Sequence, residues 1–146
     1  MFGFLFKWKK TAAHGKPRSA SVGEWGEEQA AVFLKRGGFQ VLGRNVRPTR
    51  HDEIDLIARK GETLVFVEVK TRRQEDFGRP ARTVDKGKRH ALNRAAAAYL
   101  RNANYPDLFY RFDIIEVLGQ PESVAPPTIR HIEDAFPFEV RRAFPG

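Results

Sequence analysis

The sequence predicts an α/β domain built on a mixed β-sheet of four to five strands flanked by helices, and three observations carry that prediction. Two alternating runs, at residues 53–58 and 63–70, are separated only by Arg59-Lys60-Gly61-Glu62, which reads as a β-hairpin. A helical pattern precedes the hairpin and a second follows it. A further alternating run comes after the second helix, so helices and strands interleave along the chain.

In chain order, residues 1–20 stand apart. Phe2, Phe4, Leu5, Phe6 and Trp8 are interleaved with lysines and followed by a Gly/Pro/Ser/Ala stretch. Composition reads this as a disordered basic tail, with a weak interfacial anchor or a nucleic-acid-contacting arm as the other readings. The apolar run is too short for a secretory signal, and its charge follows rather than precedes it.

Residues 21–37 read as a helix. Ser21 is placed to cap it, Glu24 is the capping-box partner, and Gly37-Gly38 ends it. Ala30, Ala31 and Leu34 follow Glu27 at three, four and seven residues, so Glu27 points along the apolar stripe. Two readings stay open for it. A carboxylate facing the core needs a cation or donors, whereas one at the stripe's edge simply suits the helix dipole.

Phe39 to Asn45 is the first strand, and residues 47–52 form a basic loop leading into the hairpin. After Lys70 comes a polar loop over residues 71–82 that contains Gly78, Pro80 and several arginines. Those arginines either bind phosphates or form a solvated face. Residues 85–102 are a helix with Leu92, Ala95, Ala96, Tyr99 and Leu100 as its stripe, and Lys86, Lys88, Arg89 and Arg94 gathered toward its first half. Phe109 to Leu118 is a strand in which Asp113 is expected to pair with Arg111 or Arg44. Thr128 to Glu133 adds a short edge strand. Phe136, Phe138 and Phe144 lie between prolines near the end and either pack on the core or stay loose.

Parity makes the hairpin informative. Val65, Val67 and Val69 share one face, and Leu64, Phe66, Glu68 and Lys70 the other. A turn centred on Lys60-Gly61 sets Asp55 opposite Phe66 and Glu53 opposite Glu68, and joins Ile54, Leu56 and Ala58 to the valines. A two-residue change in register keeps this grouping, whereas a one-residue slip buries carboxylates in the apolar wall. Carboxylates and Lys70 are therefore expected on one sheet face, with the choice between Glu53 and Asp55 left open.

Composition narrows the classes. With 146 residues the chain has the length of one domain, and 41% hydrophobic with 30% charged residues suits a soluble globular protein. The absence of cysteine excludes disulfides and thiolate metal sites and permits a cytoplasmic setting. Four histidines without ligand spacing argue against zinc. No run approaches the roughly 20 apolar residues that span a bilayer, so no membrane insertion is expected. A net charge of +8 and a pI near 10.1 suggest an anionic partner such as nucleic acid, although residues 1–20 alone supply +5 of it.

The acidic face suits a hard cation such as Mg²⁺ or Mn²⁺. Asp55 and Glu68 could hold it beside the backbone carbonyl of Val69, leaving positions for water and a phosphate oxygen. Lys70 could stabilise charge on the phosphate, and Glu27 could join as a further ligand or a proton acceptor. The bland reading is a Glu-Lys pair on a solvated sheet face.

Gly26-Glu27-Glu28-Gln29-Ala30, Arg44-Asn45-Val46-Arg47, Glu53-Ile54-Asp55-Leu56-Ile57, the run from Leu64 to Arg72 and Arg111-Phe112-Asp113 resemble, in that order, the YraN-like family of small bacterial proteins. That family is placed in the restriction-endonuclease-like PD-(D/E)XK superfamily and is similar to archaeal Holliday junction resolvases. The similarity runs from about Gly23 to Phe136, dividing the chain into a tail at 1–20, a nuclease-like domain at 21–136 and a C-terminal tail at 137–146. The resemblance implies a metal-dependent endonuclease hydrolysing DNA phosphodiester bonds, branched or single-stranded structures included. Asp55 and Glu68 would be metal ligands, Lys70 the catalytic lysine and Glu27 the helix glutamate of resolvase-like members. Val84, Lys88 and Leu92 would fall on the helix that carries a polar supporting residue in those relatives, and Arg72, Arg73, Lys88 and Arg89 are candidate nucleic-acid contacts. Asp52 departs from the glycine usual before Glu-Ile-Asp-Leu. A homodimer is implied by analogy with the resolvases. The alternative is a non-catalytic nucleic-acid-binding or adaptor protein that retains the fold.

Overall fold

Seven elements follow one another as α1 (Val22–Arg36), β1 (Gln40–Val46), β2 (Ile54–Lys60), β3 (Thr63–Arg72), α2 (Lys86–Asn102), β4 (Phe109–Leu118) and β5 (Thr128–Phe136). The computed structural model describes residues 21–73 and 84–139, so the expectations for the basic tail, for Arg79 and Arg82, and for Phe144 fall outside the described residues. The five strands form one sheet in the order β1-β2-β3-β4-β5. All neighbours are antiparallel except β3 and β4, which are parallel. A parallel pair needs a long crossover, and α2 lies in it. This is a mixed sheet flanked by two helices, the α/β architecture of a restriction-endonuclease-like fold.

The first helix begins at its expected cap, Ser21, and the second at Asp85, which caps it in turn. The Ser21 hydroxyl accepts from the Glu24 amide at 3.2 Å, and the Asp85 carboxylate accepts from the Lys88 amide at 2.8 Å. Val84 precedes the second cap, so it lies outside the helix, buried in the core. Gly38, at φ +89, takes the left-handed turn after α1 that a β-branched residue would resist.

The hairpin differs from a turn centred on Lys60-Gly61. Lys60 pairs with Thr63, leaving Gly61-Glu62 as the loop, and Gly61 takes the left-handed φ of +58. Ile57 then faces Phe66 and Leu56 faces Val67. The shift is two residues in pairing, so face parity survives.

Each face has its own core. Ala30, Ala31 and Leu34 of α1 pack on Leu56, Ala58, Val65, Val67, Ile115 and Val117. On the other face α2 contributes Leu92, Ala95, Ala96, Tyr99 and Leu100 against Ile57, Leu64, Phe66, Phe112 and Ile114. Ile54 departs from the expected apolar wall and joins this second core with Val46, its partner across the ladder. As the first residue of β2 it is held by the pleat on one side only.

β5 runs three residues further than the expected end at Glu133, to Phe136. The added length is held by aromatic stacking, with Phe136 4.6 Å from Phe112 between centroids. Phe138 packs on as well, stacking on Phe112 at 4.9 Å and on Phe66 at 6.0 Å. The Glu139 amide donates to Asn93 of α2 at 2.7 Å.

Candidate active site

Asp55 is the second residue of β2, and continuing the β2–β3 register by one step from Leu56–Val67 sets it across from Glu68. Both side chains emerge on the face covered by α2, as does Lys70 two residues further along β3. Asp55 Oδ2 accepts from the Val69 amide at 2.8 Å, which fixes the carboxylate against β3. In an extended strand the carbonyl of a residue points to the same side as its N–H, so the Val69 carbonyl also faces the Asp55 edge. Glu53 is drawn elsewhere, into an ion pair with Arg47 at 3.3 Å. Asp55 is thus the residue that shares the site with Glu68.

The electrostatics are strained in a specific direction. Burial first, and then the Asp55 charge, push the Glu68 carboxyl up to about 7, against the pull of Lys88 and Lys70. Burial also raises Asp55, opposed by the Val69 amide and by Lys88. Lys88, on the first turn of α2, brings its Nζ to 3.6 Å from Glu68 Oε1. Glu68 Oε2 is buried and receives no hydrogen bond from a protein donor, while the Glu68 and Asp55 carboxyls lie within hydrogen-bonding reach of each other. A buried carboxylate oxygen without such a donor, beside a second carboxylate, is costly for the fold alone. The donor set is all oxygen, which a hard divalent cation prefers over nitrogen or sulfur. Two carboxylates and a backbone carbonyl are the donor types that Mg²⁺ or Mn²⁺ would take.

Glu27 reaches the same mouth from α1. Gly26 brings the helix against β3 so closely that a Cβ there would lie 1.8 Å from Thr71 Oγ1. Burial and the charge of Asp55 raise the Glu27 carboxyl, and a hydrogen bond with the Asn45 side chain lowers it. Asn45 stands at the end of β1 with φ +47, a conformation that asparagine tolerates. Its role could be suspected from sequence only through that tolerance. Among the described residues, however, no three acidic or histidine side chains converge closely enough to hold one ion. Asp55 and Glu68 are brought together, and Glu27 senses them from nearby.

The remaining candidates divide. Lys88 faces the carboxylates. Arg89 donates its Nε to the Val84 carbonyl at 2.9 Å and lies over the Phe136 ring at 5.9 Å, which gives it a structural task. Arg72 is half-buried at the end of β3 and Arg73 is exposed beyond it. Asp52 has a clear partner: Arg94 of α2 donates to it through Nη2 at 3.1 Å and Nε at 3.3 Å, and Thr49 adds a hydroxyl at 3.0 Å. Arg94 holds the Asp52 carboxyl below the usual range. Asp52 thus ties the basic loop to α2.

Asp113 is fully buried and satisfied. It accepts from Arg111 at 2.9 and 3.1 Å and from the Asp134 amide at 3.0 Å, and His131 Nε2 lies 2.6 Å away. Of its two expected partners Arg111 is the one, since Arg44 pairs with Glu28 of α1.

Fold and site together define a restriction-endonuclease-like α/β domain with a paired-carboxylate and lysine face. The family model described as "Uncharacterised protein family UPF0102" matches residues 26–117, and the chain belongs to this YraN-like family. A UPF0102 protein of Geotalea daltonii is 46% identical over 84% of this chain and 94% of its own length. One from Caldicellulosiruptor saccharolyticus is 43% identical over 66% of this chain and 80% of its own. Another, from Nocardia farcinica, is 42% identical over 80% and 89%. Among the described residues no helix is long and apolar enough to cross a membrane.

Proposed function

We propose that this protein is a metal-dependent endonuclease that hydrolyses DNA phosphodiester bonds, with branched or single-stranded DNA among its substrates. The observation that supports it most is the buried Glu68 Oε2, which receives no hydrogen bond from a protein donor, beside Asp55, with Lys70 on the same face. Asp55, Glu68 and the Val69 carbonyl would hold Mg²⁺ or Mn²⁺, with Glu27 close by. When bound, such an ion polarises a phosphoryl oxygen and makes water a stronger nucleophile at neutral pH.

The protein's own groups account for the rest. Lys70 offers a cation to the charge that develops on the phosphate. Glu27, raised by burial and by Asp55, can accept a proton from attacking water more readily than an ordinary exposed carboxylate. The Asp55–Val69 hydrogen bond orients the first carboxylate before substrate arrives. Arg72 and Arg73, which follow Lys70 at the end of β3, and Lys88 of α2, which faces Glu68, can contact the backbone of the nucleic acid. A homodimer acting on two strands, in the cytoplasm, agrees with this reading.

Lys88 also supports a second reading. A protein cation lying 3.6 Å from Glu68 already offsets part of the acidic charge, as it would in a non-catalytic nucleic-acid-binding or adaptor module. The two readings separate on incubating labelled branched, flap, single-stranded and duplex DNA with Mn²⁺, Mg²⁺ or EDTA. The nuclease reading expects cleavage that EDTA and Glu68→Ala both abolish. No cleavage of any substrate, or cleavage that survives Glu68→Ala, would sink it. Binding that persists in EDTA and weakens steeply with salt would then favour the second.

A further inference from the structure

β4 carries a carboxylate that the site described so far does not use. Glu116 is 1% exposed, although parity sets it on the α2 face with Phe112 and Ile114. Its Cα partner in β3 is Lys70, and its partner in β5 is Arg130. Lys70, Glu116 and Arg130 therefore form a straight row across three adjacent strands, their side chains on one face. Arg130 Nη1 stands 3.6 Å from Glu116 Oε2.

A carboxylate removed from water requires opposite charge close by. Here the strand partners on both sides are cations. Lysine is a point charge on a flexible four-carbon stem, so without an anchor its ammonium group samples many positions. A buried glutamate side by side with it restricts that sampling. We propose that Glu116 is the positioning residue of Lys70, holding the ammonium group beside Glu68, and that Arg130 pins Glu116 from the far side. The inference rests on the nuclease reading, in which Lys70 acts on the phosphate. It assigns to β4 and β5 a part in a site whose other groups lie on α1, α2, β2 and β3.

The test is a double-mutant cycle in the 146-residue chain, using labelled branched and single-stranded DNA with Mn²⁺. Glu116→Gln, which keeps shape and removes charge, is expected to lower kcat about tenfold, because a misplaced catalytic group loses rate rather than affinity. KM and the Mn²⁺ affinity measured by calorimetry are expected to stay at wild-type values. Glu116→Asp restores part of the rate. The double variant with Lys70→Ala cleaves no more slowly than Lys70→Ala alone. Arg130→Gln, at a half-buried site, gives a smaller loss of the same kind and serves if Glu116→Gln does not fold.

Wild-type kcat in both folded variants overturns the inference and leaves the nuclease reading standing. A loss that multiplies with that of Lys70→Ala also overturns it, because the two residues then act independently. Failure of the wild-type protein to cleave any substrate overturns both.

Discussion

Lys88 of α2 and Glu68 of β3 meet across the face of the sheet, Nζ 3.6 Å from Oε1, while Oε2 of the same carboxylate is buried and receives no hydrogen bond from a protein donor. The lysine satisfies one side of an acid that the fold leaves open on the other. A divalent cation bound between Asp55 and Glu68 would be repelled by it. Lys88→Gln is expected to tighten Mn²⁺ binding about threefold to fivefold, the effect of a half-exposed charge worth up to about 1 kcal/mol. Calorimetry at about pH 8.5, where Glu68 is ionised, measures it. Unchanged or weaker binding would show that the lysine does not oppose the ion.

Glu68 also makes stability depend on pH. Its carboxyl rises from an ordinary 4.5 to about 7 in the folded state. A raised folded value means that the group's stabilising contribution is fully present below the unfolded pKa and is lost as pH rises through the folded one. Metal-free wild-type protein should therefore lose stability between about pH 5 and pH 8 relative to Glu68→Gln. Urea midpoints of the two proteins across that range give the comparison, and parallel curves would contradict it.

Gly26 governs how closely α1 approaches β3. A Cβ would lie 1.8 Å from Thr71 Oγ1 and 3.0 Å from Thr71 Cβ, so rotating the threonine removes only the first clash. Gly26→Ala is expected to cost about 1–3 kcal/mol by overpacking. Thr71→Ala should recover part of it, since that change removes Oγ1 and Cγ2. Thermal melts of the two single variants and the double variant test this, and a Gly26→Ala protein as stable as wild type refutes it.

Asp113 should matter for folding and not for metal. Burial alone would raise its carboxyl, but the hydrogen bonds from His131, Arg111 and the Asp134 amide outweigh that and hold it below the usual range. A depressed folded value contributes stability above the unfolded pKa, near 3.8, which is lost as pH falls through the folded one. Asp113→Asn leaves Arg111 without its buried anion and is expected to cost about 3 kcal/mol at neutral pH. Denaturant unfolding measures the loss, and Mn²⁺ calorimetry should show no change in affinity. Loss of metal binding in a folded Asp113→Asn protein would overturn this division of labour.

Much of the domain could be read locally. The cap at Ser21, the stripe from Leu92 to Leu100 and the span of β4 depend on residues a few positions apart, so neighbours in sequence were sufficient. The shared face of Asp55, Glu68 and Lys70 was legible for the same reason, because strand parity survives a two-residue change in register. That change itself was not legible: both registers keep the carboxylates out of the apolar wall, and the pairing of Lys60 with Thr63 settles the matter only once the strands are laid together. The added packing at Phe136 and Phe138 came from aromatic partners more than twenty residues away.

The shared face of the carboxylates and their lysine was thus determined by the sequence alone, as the product of a strand's period of two acting over sixteen residues, whereas the register chose Asp55 over Glu53 as the partner of Glu68. Tertiary structure decided what surrounds them. Asn45 beside Glu27, Lys88 against Glu68, Arg94 on Asp52 and Glu116 in line with Lys70 all join groups from separate elements. No local periodicity encodes such pairs. They follow from how helices seat on a twisted sheet, and burial there makes each charge depend on the partner it meets.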